Sequence, residues 1–362
     1  MRRWWLPLLI LAMPSCSGGD PMVGPQDDEP LEEATGHPGA HAAGLDGVRI
    51  ARLIDDTEAG SYGEIYSILI SKDGTLAVEE YFREIDAETV RPIYSVTKSV
   101  ASALVGIALH NQDLPSLEAK LPDFYPTYTV PTWASEITVH HLLTMQAGFE
   151  WDEWTTPYGS ATNSASQISR SGDVVQYMLD LPMASDPGTS FTYSSGVSML
   201  LSGVISFSTG ATAREFAEAE VFEHLGFGSP DWAESMPGMT NTGWGLNLTS
   251  RQLLAFGEMF ENGGRVGEVQ VVPRSWVDLS TSHHTTTNNG LAYGFQWWRF
   301  RDGDPDIAAL AVNDVYFAWG YGGQFVFVVP HEDVVIVMTA ANFDDSSPAF
   351  DMLRREVFPA LR

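Results

Sequence analysis

Hydrophobic residues follow two different patterns along the chain. In "EIYSILISKDGTLAVEEYF" (64–82), two runs rich in β-branched and aromatic residues flank Lys72-Asp73-Gly74, a pattern typical of a β-hairpin. Similar runs return near the C-terminus in "YGFQWWRF" (293–300), "VYFAWGYGGQFVFVVP" (315–330) and "DVVIVMTA" (333–340). Strands at both ends predict an α+β fold, in which one antiparallel β-sheet is built from both chain ends and flanked by helices.

The middle of the chain has the apolar spacing of helices instead. The segment 249–264, "TSRQLLAFGEMFENGG", is typical of a helix that is capped by Thr249 or Ser250 and ends at Gly263-Gly264. Other segments with helical spacing are 45–56, 95–114, 138–148, 172–183, 194–210 and a closing helix at 348–361.

These patterns place the domain boundaries. We expect one domain over residues 46–362, whose sheet-containing part comprises residues 46–94 and 275–362. A large, mostly helical region, residues 95–274, is inserted between them. A cleft between the two parts is the expected place for a ligand site.

The N-terminus has the pattern of an export signal. Basic Arg2 and Arg3 precede a short apolar run, which predicts a signal peptide over residues 1–15. The single cysteine, Cys16, follows in "LAMPSCSGG", which resembles a bacterial lipobox; cleavage before a lipidated Cys16 and a simple secretory cut are both compatible with it. Residues 16–45 are rich in Gly, Pro and acids, which predicts a disordered acidic tether. We expect a cell-envelope lipoprotein, periplasmic or in the outer membrane, or a secreted protein.

Charge and composition exclude several partners and cofactors. The net charge is −28, with 47 acidic against 19 basic residues, which argues against nucleic-acid binding and against electrostatic docking on anionic lipid. One cysteine leaves no internal disulfide and no cysteine-based metal site. His140-His141 and His283-His284 lack the spacing of metal ligands, so neither a metal nor another cofactor is predicted. The oligomeric state stays open.

Ser95 and Lys98 form the first candidate for catalysis. Three residues apart, they share one face of a helix, although a Ser-x-x-Lys pattern also arises by chance. The chain has only three lysines, and Lys98 alone lies in a segment that is apolar all round. A helix of that composition is buried, and burial favours the neutral amine, which can accept a proton from a serine. The helix argument leaves catalysis and a structural role both open.

Other nucleophile and cofactor motifs are missing. The sequence contains no Gly-x-Ser-x-Gly and no His-Glu-x-x-His, and "WGYGGQ" lacks the lysine and threonine of a P-loop. Two further segments need explanation: "FTYSSG", with Tyr193 and Ser195 before an apolar run, and the glycines of "WGYGGQ" at the head of a strand. Taken alone, these fit a core tyrosine and a tight turn as well as they fit a site.

Together these segments resemble the serine β-lactamase and penicillin-binding-protein superfamily. The similarity is to the branch related to class C β-lactamases, which includes esterases, D-stereospecific peptidases and 6-aminohexanoate-dimer hydrolases. Its Ser-x-x-Lys motif matches Ser95 to Lys98, its Tyr-x-Asn motif falls on Tyr193-Ser194-Ser195, and its third motif on Tyr321-Gly322-Gly323. Stretches such as "ITVHHLLTMQAGFEWDE" are also similar, so the resemblance covers most of residues 46–362.

The resemblance implies the following roles. Ser95 is the acylated nucleophile, Lys98 the base or proton shuttle, and Tyr193 the phenolic acid and base. The backbone N–H groups of Ser95 and Gln324 form the oxyanion hole. Residues expected to bind substrate are Ser195, Trp319, Tyr321, Gly322 and Gly323. The fold implied is that of β-lactamases and transpeptidases.

Two departures from the family pattern concern the substrate. Ser195 stands where the family has asparagine, and Tyr321 stands where it has lysine or histidine. A neutral tyrosine cannot pair with the carboxylate of a β-lactam or of a terminal D-amino acid. The sequence therefore favours an exported serine hydrolase acting on a small-molecule or peptide-like ester or amide. The alternatives are a β-lactamase or D-peptidase acting on cell-wall-like substrates, and a non-catalytic penicillin- or peptidoglycan-binding module.

Overall fold

The computed structural model describes residues 36–301, 303, 314–345 and 347–361. The predicted signal peptide, Cys16 and residues 16–35 of the predicted tether lie outside the described residues. The prediction of a disordered tether is wrong at its C-terminal end, where residues Pro38–Ala42 form helix α1 and Ala40 is fully buried. His37 caps this helix and its ring contacts Glu80 at 3.3 Å, so the folded unit begins before residue 45. Small residues are common in disordered tethers, which is why the sequence predicted one here. In the structure the same small residues pack closely.

The main sheet has eight strands in the order β2-β1-β14-β13-β12-β11-β10-β9, and every pairing is antiparallel. Its strands are β1 (Ile65–Lys72), β2 (Thr75–Tyr81), β9 (Thr285–Thr286), β10 (Ala292–Tyr293), β11 (Trp298–Arg299), β12 (Tyr316–Gly320), β13 (Gln324–Val329) and β14 (Val334–Ala340). Three two-stranded pairs accompany it: β3 (Arg91–Pro92) with β6 (Asn247–Leu248), β4 (Glu234–Met236) with β5 (Met239–Thr240), and β7 (Arg265–Val266) with β8 (Val269–Gln270).

The sheet confirms the prediction that both chain ends build it. Strand β1 lies between β2 and β14, with Leu69 opposite Val337, so the N-terminal hairpin joins the C-terminal strands directly. Asp73 and Gly74 form the hairpin turn with φ of 52° and 68°, as a two-residue hairpin turn requires. The segment 293–300 is not one strand, because Gln296 takes a φ of 61° and the chain turns back between β10 and β11.

Helices fill the region between the strands and flank the sheet. After α1 they are α2 (Gly47–Glu58), α3 (Thr97–His110), α4 (Leu121–Phe124), α5 (Val139–Leu143), α6 (Ser164–Ile168), α7 (Val174–Asp180), α8 (Ser195–Thr209), α9 (Ala213–Ala217), α10 (Glu223–Leu225), α11 (Ser250–Glu261), α12 (Arg274–Ser280), α13 (Ser347–Met352) and α14 (Phe358–Ala360). Thr249 caps α11 together with Gln252, which confirms one of the two predicted caps.

Two of these helices form the centre of the helical region. Helix α3 packs against α8, and ten or more residues of each are buried, as expected for helices that are apolar all round. Helix α11 is amphipathic and packs on β13 and β14. Within the described part of the chain, no single helix is long and apolar enough to span a bilayer; the bent pair Ser195–Thr209 and Ala213–Leu225 meets that test by length and composition only.

Candidate active site

Ser95 lies in a short 3-10 turn, Tyr94–Val96, that leads directly into α3. Tyr94, the residue before it, has a φ of 47°, a left-handed conformation that is costly for a bulky side chain. Its ring is held edge-on by Tyr321 at 5.7 Å and Phe343 at 6.1 Å. Packing from the C-terminal sheet therefore fixes the backbone that presents Ser95.

Lys98 lies one helical turn further on and points at Ser95. It is 1% exposed, and its Nζ donates to Ser95 Oγ at 2.9 Å, to Ser195 Oγ at 3.0 Å and to the carbonyl oxygen of Gly243 at 2.6 Å. Burial lowers the pKa of Lys98 to about 8, while the negative charge of Glu153 opposes this shift. Near neutral pH part of the lysine is therefore the neutral amine that can accept a proton.

Tyr193 lies two residues before α8, and its ring lies over Lys98. The Nζ of Lys98 is 5.1 Å from the centroid of the Tyr193 ring. Burial raises the pKa of Tyr193 well above its usual value, the charge of Glu153 raises it further, and a hydrogen bond with the Ser95 side chain acts in the opposite direction. Tyr193 is therefore a neutral phenol at physiological pH, next to both Ser95 and Lys98.

Glu153 is the residue that sequence reasoning missed. It is 3% exposed, and its two carboxylate oxygens accept four hydrogen bonds. The donors are the Ser195 backbone N–H (2.8 Å), the Ser195 hydroxyl (3.0 Å), the Trp151 indole (2.7 Å) and the Tyr158 hydroxyl (3.1 Å). The available signal was an acid enclosed by aromatic residues in "FEWDEW", together with a serine where the family has asparagine.

The third motif forms the turn between β12 and β13. Gly322 and Gly323 have φ of 78° and 95°, which favours glycine at both positions. A Cβ on Gly320, the last residue of β12, would overlap the carbonyl oxygen of Ile93, two residues before Ser95. The absence of a side chain at position 320 lets the end of the hairpin lie against the nucleophile turn. Gln324 begins β13, pairs with Gly320, and donates from its amide to the carbonyl oxygens of Tyr321 and Ala340.

A cavity of about 400 Å³ opens beside Ser95. Its lining is mostly aromatic and includes Trp154, Tyr158, Tyr193, Trp298, Trp319, Tyr321 and Phe343. Trp154 stacks on Tyr193 with ring centroids 5.1 Å apart, and the ring centroids of Trp298 and Trp319 are 5.3 Å apart. This cavity brings Ser95, Tyr193 and the third motif to one place.

The expected substrate-binding residues divide into two groups. Trp319, Tyr321 and Gly322 line the cavity, whereas Ser195 and Gly323 are not among its lining residues. Ser195 is 2% exposed, and its hydroxyl lies between Lys98 and Glu153. The structure therefore does not place Ser195 in the cavity, as expected for a substrate-binding residue, but in contact with Lys98, because its short side chain stays inside the helix bundle. Among the described residues, no cluster of three or more His, Cys, Asp or Glu side chains could hold a metal ion.

Comparisons with known proteins concern the family and the fold. The beta-lactamase family model matches residues 55–359. Comparison with curated proteins yields no match. A solved structure from Bacillus anthracis, named as a 6-aminohexanoate-dimer hydrolase, is similar with a TM-score of 0.72 and 17% identity, over 84% of this chain and 81% of that chain.

Two further solved structures have the same fold. EstCE1, described as a hydrolase with promiscuous acyltransferase activity, matches with a TM-score of 0.68 and 16% identity, over 86% of this chain and 98% of that chain. A penicillin-binding-protein homologue from Caulobacter crescentus matches with a TM-score of 0.67 and 14% identity, over 86% of this chain and 97% of that chain. With a family match over most of its length and this fold, the chain belongs to the beta-lactamase family of serine hydrolases.

Proposed function

We propose that the protein is an exported hydrolase that cleaves an ester or amide bond through a covalent acyl-enzyme on Ser95. The observation that carries this proposal is the 2.9 Å contact between Lys98 Nζ and Ser95 Oγ, made by a lysine that is 1% exposed. A buried amine with a lowered pKa next to a serine hydroxyl is the arrangement that nucleophilic catalysis needs.

In the acylation step, neutral Lys98 accepts the Ser95 proton as Oγ attacks the substrate carbonyl carbon. The oxyanion that forms is stabilised by the backbone N–H groups of Ser95 and Gln324. The close approach of Gly320 to Ile93 holds the end of the β12–β13 hairpin against the Ser95 turn, whereas Gln324 is buried and is not among the residues that line the cavity.

Tyr193 then protonates the leaving group. Its raised pKa keeps the phenol protonated in the resting enzyme, so it starts the cycle as an acid. The leaving alcohol or amine departs with the Tyr193 proton, and the lysine ammonium below the ring returns a proton to the phenolate. In deacylation a water loses its proton to this pair, attacks the acyl carbon, and Ser95 regains its proton.

Neutral Tyr321 in the cavity supports an ester or amide over a β-lactam. The similar structures named as a dimer hydrolase and as EstCE1 are compatible with either bond type. A β-lactamase, a D-peptidase and a non-catalytic binding module are the alternatives that the experiment below must exclude.

Labelling with a fluorophosphonate, followed by peptide mass analysis, tests the nucleophile. We expect one label on Ser95 in wild type and none in Ser95→Ala. The control is Ser61→Ala, which removes an exposed serine distant in sequence from Ser95 and should be fully labelled. The same three proteins are assayed with p-nitrophenyl esters, D-amino-acid amides and a chromogenic cephalosporin. Full turnover by Ser95→Ala would disprove the mechanism, and a strong preference for the cephalosporin would disprove the substrate class.

Export is supported by the sequence of residues 1–16 alone. Expression of the full chain with an alkyne-labelled fatty acid should give a labelled protein, and Cys16→Ser should abolish the label. Labelling that persists in Cys16→Ser would exclude lipidation of this cysteine, and an uncleaved cytoplasmic product would exclude export.

A further inference from the structure

The cavity beside Ser95 is lined by negatively charged side chains and by no positively charged one among the described residues. Its described lining residues include Asp344 and Asp345 and no lysine, arginine or histidine. The only lysine near the nucleophile, Lys98, is buried beneath it and is engaged by three hydrogen bonds. The cavity therefore presents carboxylates and aromatic rings to a substrate, and no cation.

Tyr321 lines the cavity next to two other aromatic rings. Its ring lies 4.5 Å from that of Tyr158 and 5.0 Å from that of Phe343. Burial raises the pKa of Tyr321, and the negative charge of Asp344 raises it further, which places this carboxylate close to the ring. The position where the family has a cation is thus a neutral aromatic ring with an anion beside it.

Asp345 adds a second negative charge to the cavity lining, next to Asp344. Its carboxylate accepts hydrogen bonds from the backbone N–H and the hydroxyl of Ser347, at 2.8 and 2.7 Å. These two hydrogen bonds hold the pKa of Asp345 below its usual range.

We propose that this cavity selects esters or amides that carry an ammonium group. Aromatic faces and carboxylates together attract a cation, as cation–π attraction adds to the Coulomb interaction with Asp344 and Asp345. An anionic substrate meets the same groups with the opposite sign. This inference rests on the proposed function, since the charged substrate is the one that Ser95 would cleave.

A merely apolar cavity would favour the neutral substrate over a cationic one of the same shape, because burying the ammonium group there costs desolvation free energy. Three p-nitrophenyl esters with the same spacer separate the two cases: 4-(trimethylammonio)butanoate, its neutral isostere 5,5-dimethylhexanoate, and the anionic monoester of glutarate. For wild type we expect kcat/KM to be about 3- to 30-fold higher for the cation than for the neutral isostere. The glutarate ester should be the poorest substrate. Equal values for cation and neutral isostere, or a faster anion, would overturn the proposal.

Asp344→Asn tests the source of the preference. It should reduce the ratio of cation to neutral kcat/KM several-fold, and high salt should reduce the wild-type ratio in the same direction. The matched control is Asp113→Asn, which removes the same charge from an exposed loop outside the cavity lining and should leave the ratio unchanged. An equal effect of both substitutions would show that only the net charge matters, and would refute a local site.

Binding without turnover keeps the test independent of catalysis. Phenyltrimethylammonium and benzenesulfonate are titrated into Ser95→Ala, with tryptophan fluorescence as the readout, because Trp154, Trp298 and Trp319 line the cavity. We expect saturable quenching by the ammonium and none by the sulfonate. Ammonium binding without ester turnover or Ser95 labelling would defeat the proposed function alone, whereas turnover of neutral esters without ammonium binding would defeat only the present inference.

Discussion

The Glu153 carboxylate accepts two hydrogen bonds from Ser195, one from the backbone N–H at 2.8 Å and one from the hydroxyl at 3.0 Å. The same hydroxyl accepts a hydrogen bond from Lys98 Nζ at 3.0 Å, so Glu153 and Lys98 are joined through one serine. A buried serine and a buried glutamate thus meet beside Lys98. Burial has the largest effect on both pKa values, lowering that of Lys98 and raising that of Tyr193, and the charge of Glu153 acts to raise both.

Glu153→Gln should shift the pH dependence of hydrolysis. Because the Glu153 charge raises the pKa of Lys98, its removal lowers that pKa, and the ascending limb of kcat/KM moves to lower pH by about one unit. The pH profile of a neutral ester measures this. Glu150→Gln, three residues away and exposed, should leave the limb in place. A limb that does not move in Glu153→Gln would show that Glu153 has only a structural role.

Lys98 should also make the stability of the protein depend on pH. Its pKa is about 8 in the folded protein against 10.5 ordinarily, so the unfolded chain binds more protons between these values. The free energy of unfolding of wild type should therefore rise between about pH 8 and pH 10, relative to Lys98→Met, which has no charge to desolvate. Over the whole range between the two pKa values, the free energy of unfolding of wild type should rise by about 3 kcal/mol relative to that of Lys98→Met. Urea titrations at several pH values measure it, and parallel curves for the two proteins would contradict the burial of a charged lysine.

Tyr193→Phe should affect amides more than activated esters. An amine leaving group needs a proton, whereas p-nitrophenolate leaves without one, so the acylation burst with p-nitrophenyl esters should persist. Amide turnover should fall by about 10²- to 10⁴-fold. Tyr293→Phe is a matched control, because that hydroxyl is buried and has no hydrogen-bond partner among the described residues. Equal losses for amide and activated ester would exclude Tyr193 as the acid.

Gly320→Ala should disturb the site through the backbone. The new methyl group would overlap the carbonyl oxygen of Ile93 and push the end of β12 away from the Ser95 turn. We expect a stability loss of about 1–3 kcal/mol and a lower kcat, measured by thermal melting and ester hydrolysis. Gly172→Ala, where a Cβ meets no atom within 4 Å, is the control. Unchanged activity in Gly320→Ala would show that this contact does not position the nucleophile.

Tyr321→Lys should reverse the charge preference of the cavity. A lysine there would place a cation among Tyr158, Phe343 and Asp344, so kcat/KM for the glutarate ester should rise about 10-fold relative to the trimethylammonio ester. Tyr321→Phe retains the ring and should keep the wild-type ranking of the two esters. If Tyr321→Lys keeps that ranking as well, position 321 does not determine substrate charge.

Much of the fold could be predicted because it depends on local patterns. The hairpin at Asp73-Gly74, the cap at Thr249 and the buried α3 each follow from a few neighbouring residues. The break in 293–300 could not be predicted, because it depends on Gln296, whose side chain donates to the carbonyl oxygens of Leu142 and Leu143 in the helical region. A contact between residues so far apart in sequence leaves no mark on the local periodicity.

By itself, the sequence determined that Ser95 and Lys98 share a helix face and that Lys98 is in an apolar environment. These are properties of residue identity and short spacing. Only the tertiary structure decided that Ser195 contacts Lys98 instead of the cavity, and that Glu153 holds it there. The reason is physical: Glu153 lies on a loop that folding brings to the start of α8, and a buried carboxylate is stable there only because four donors from three residues surround it.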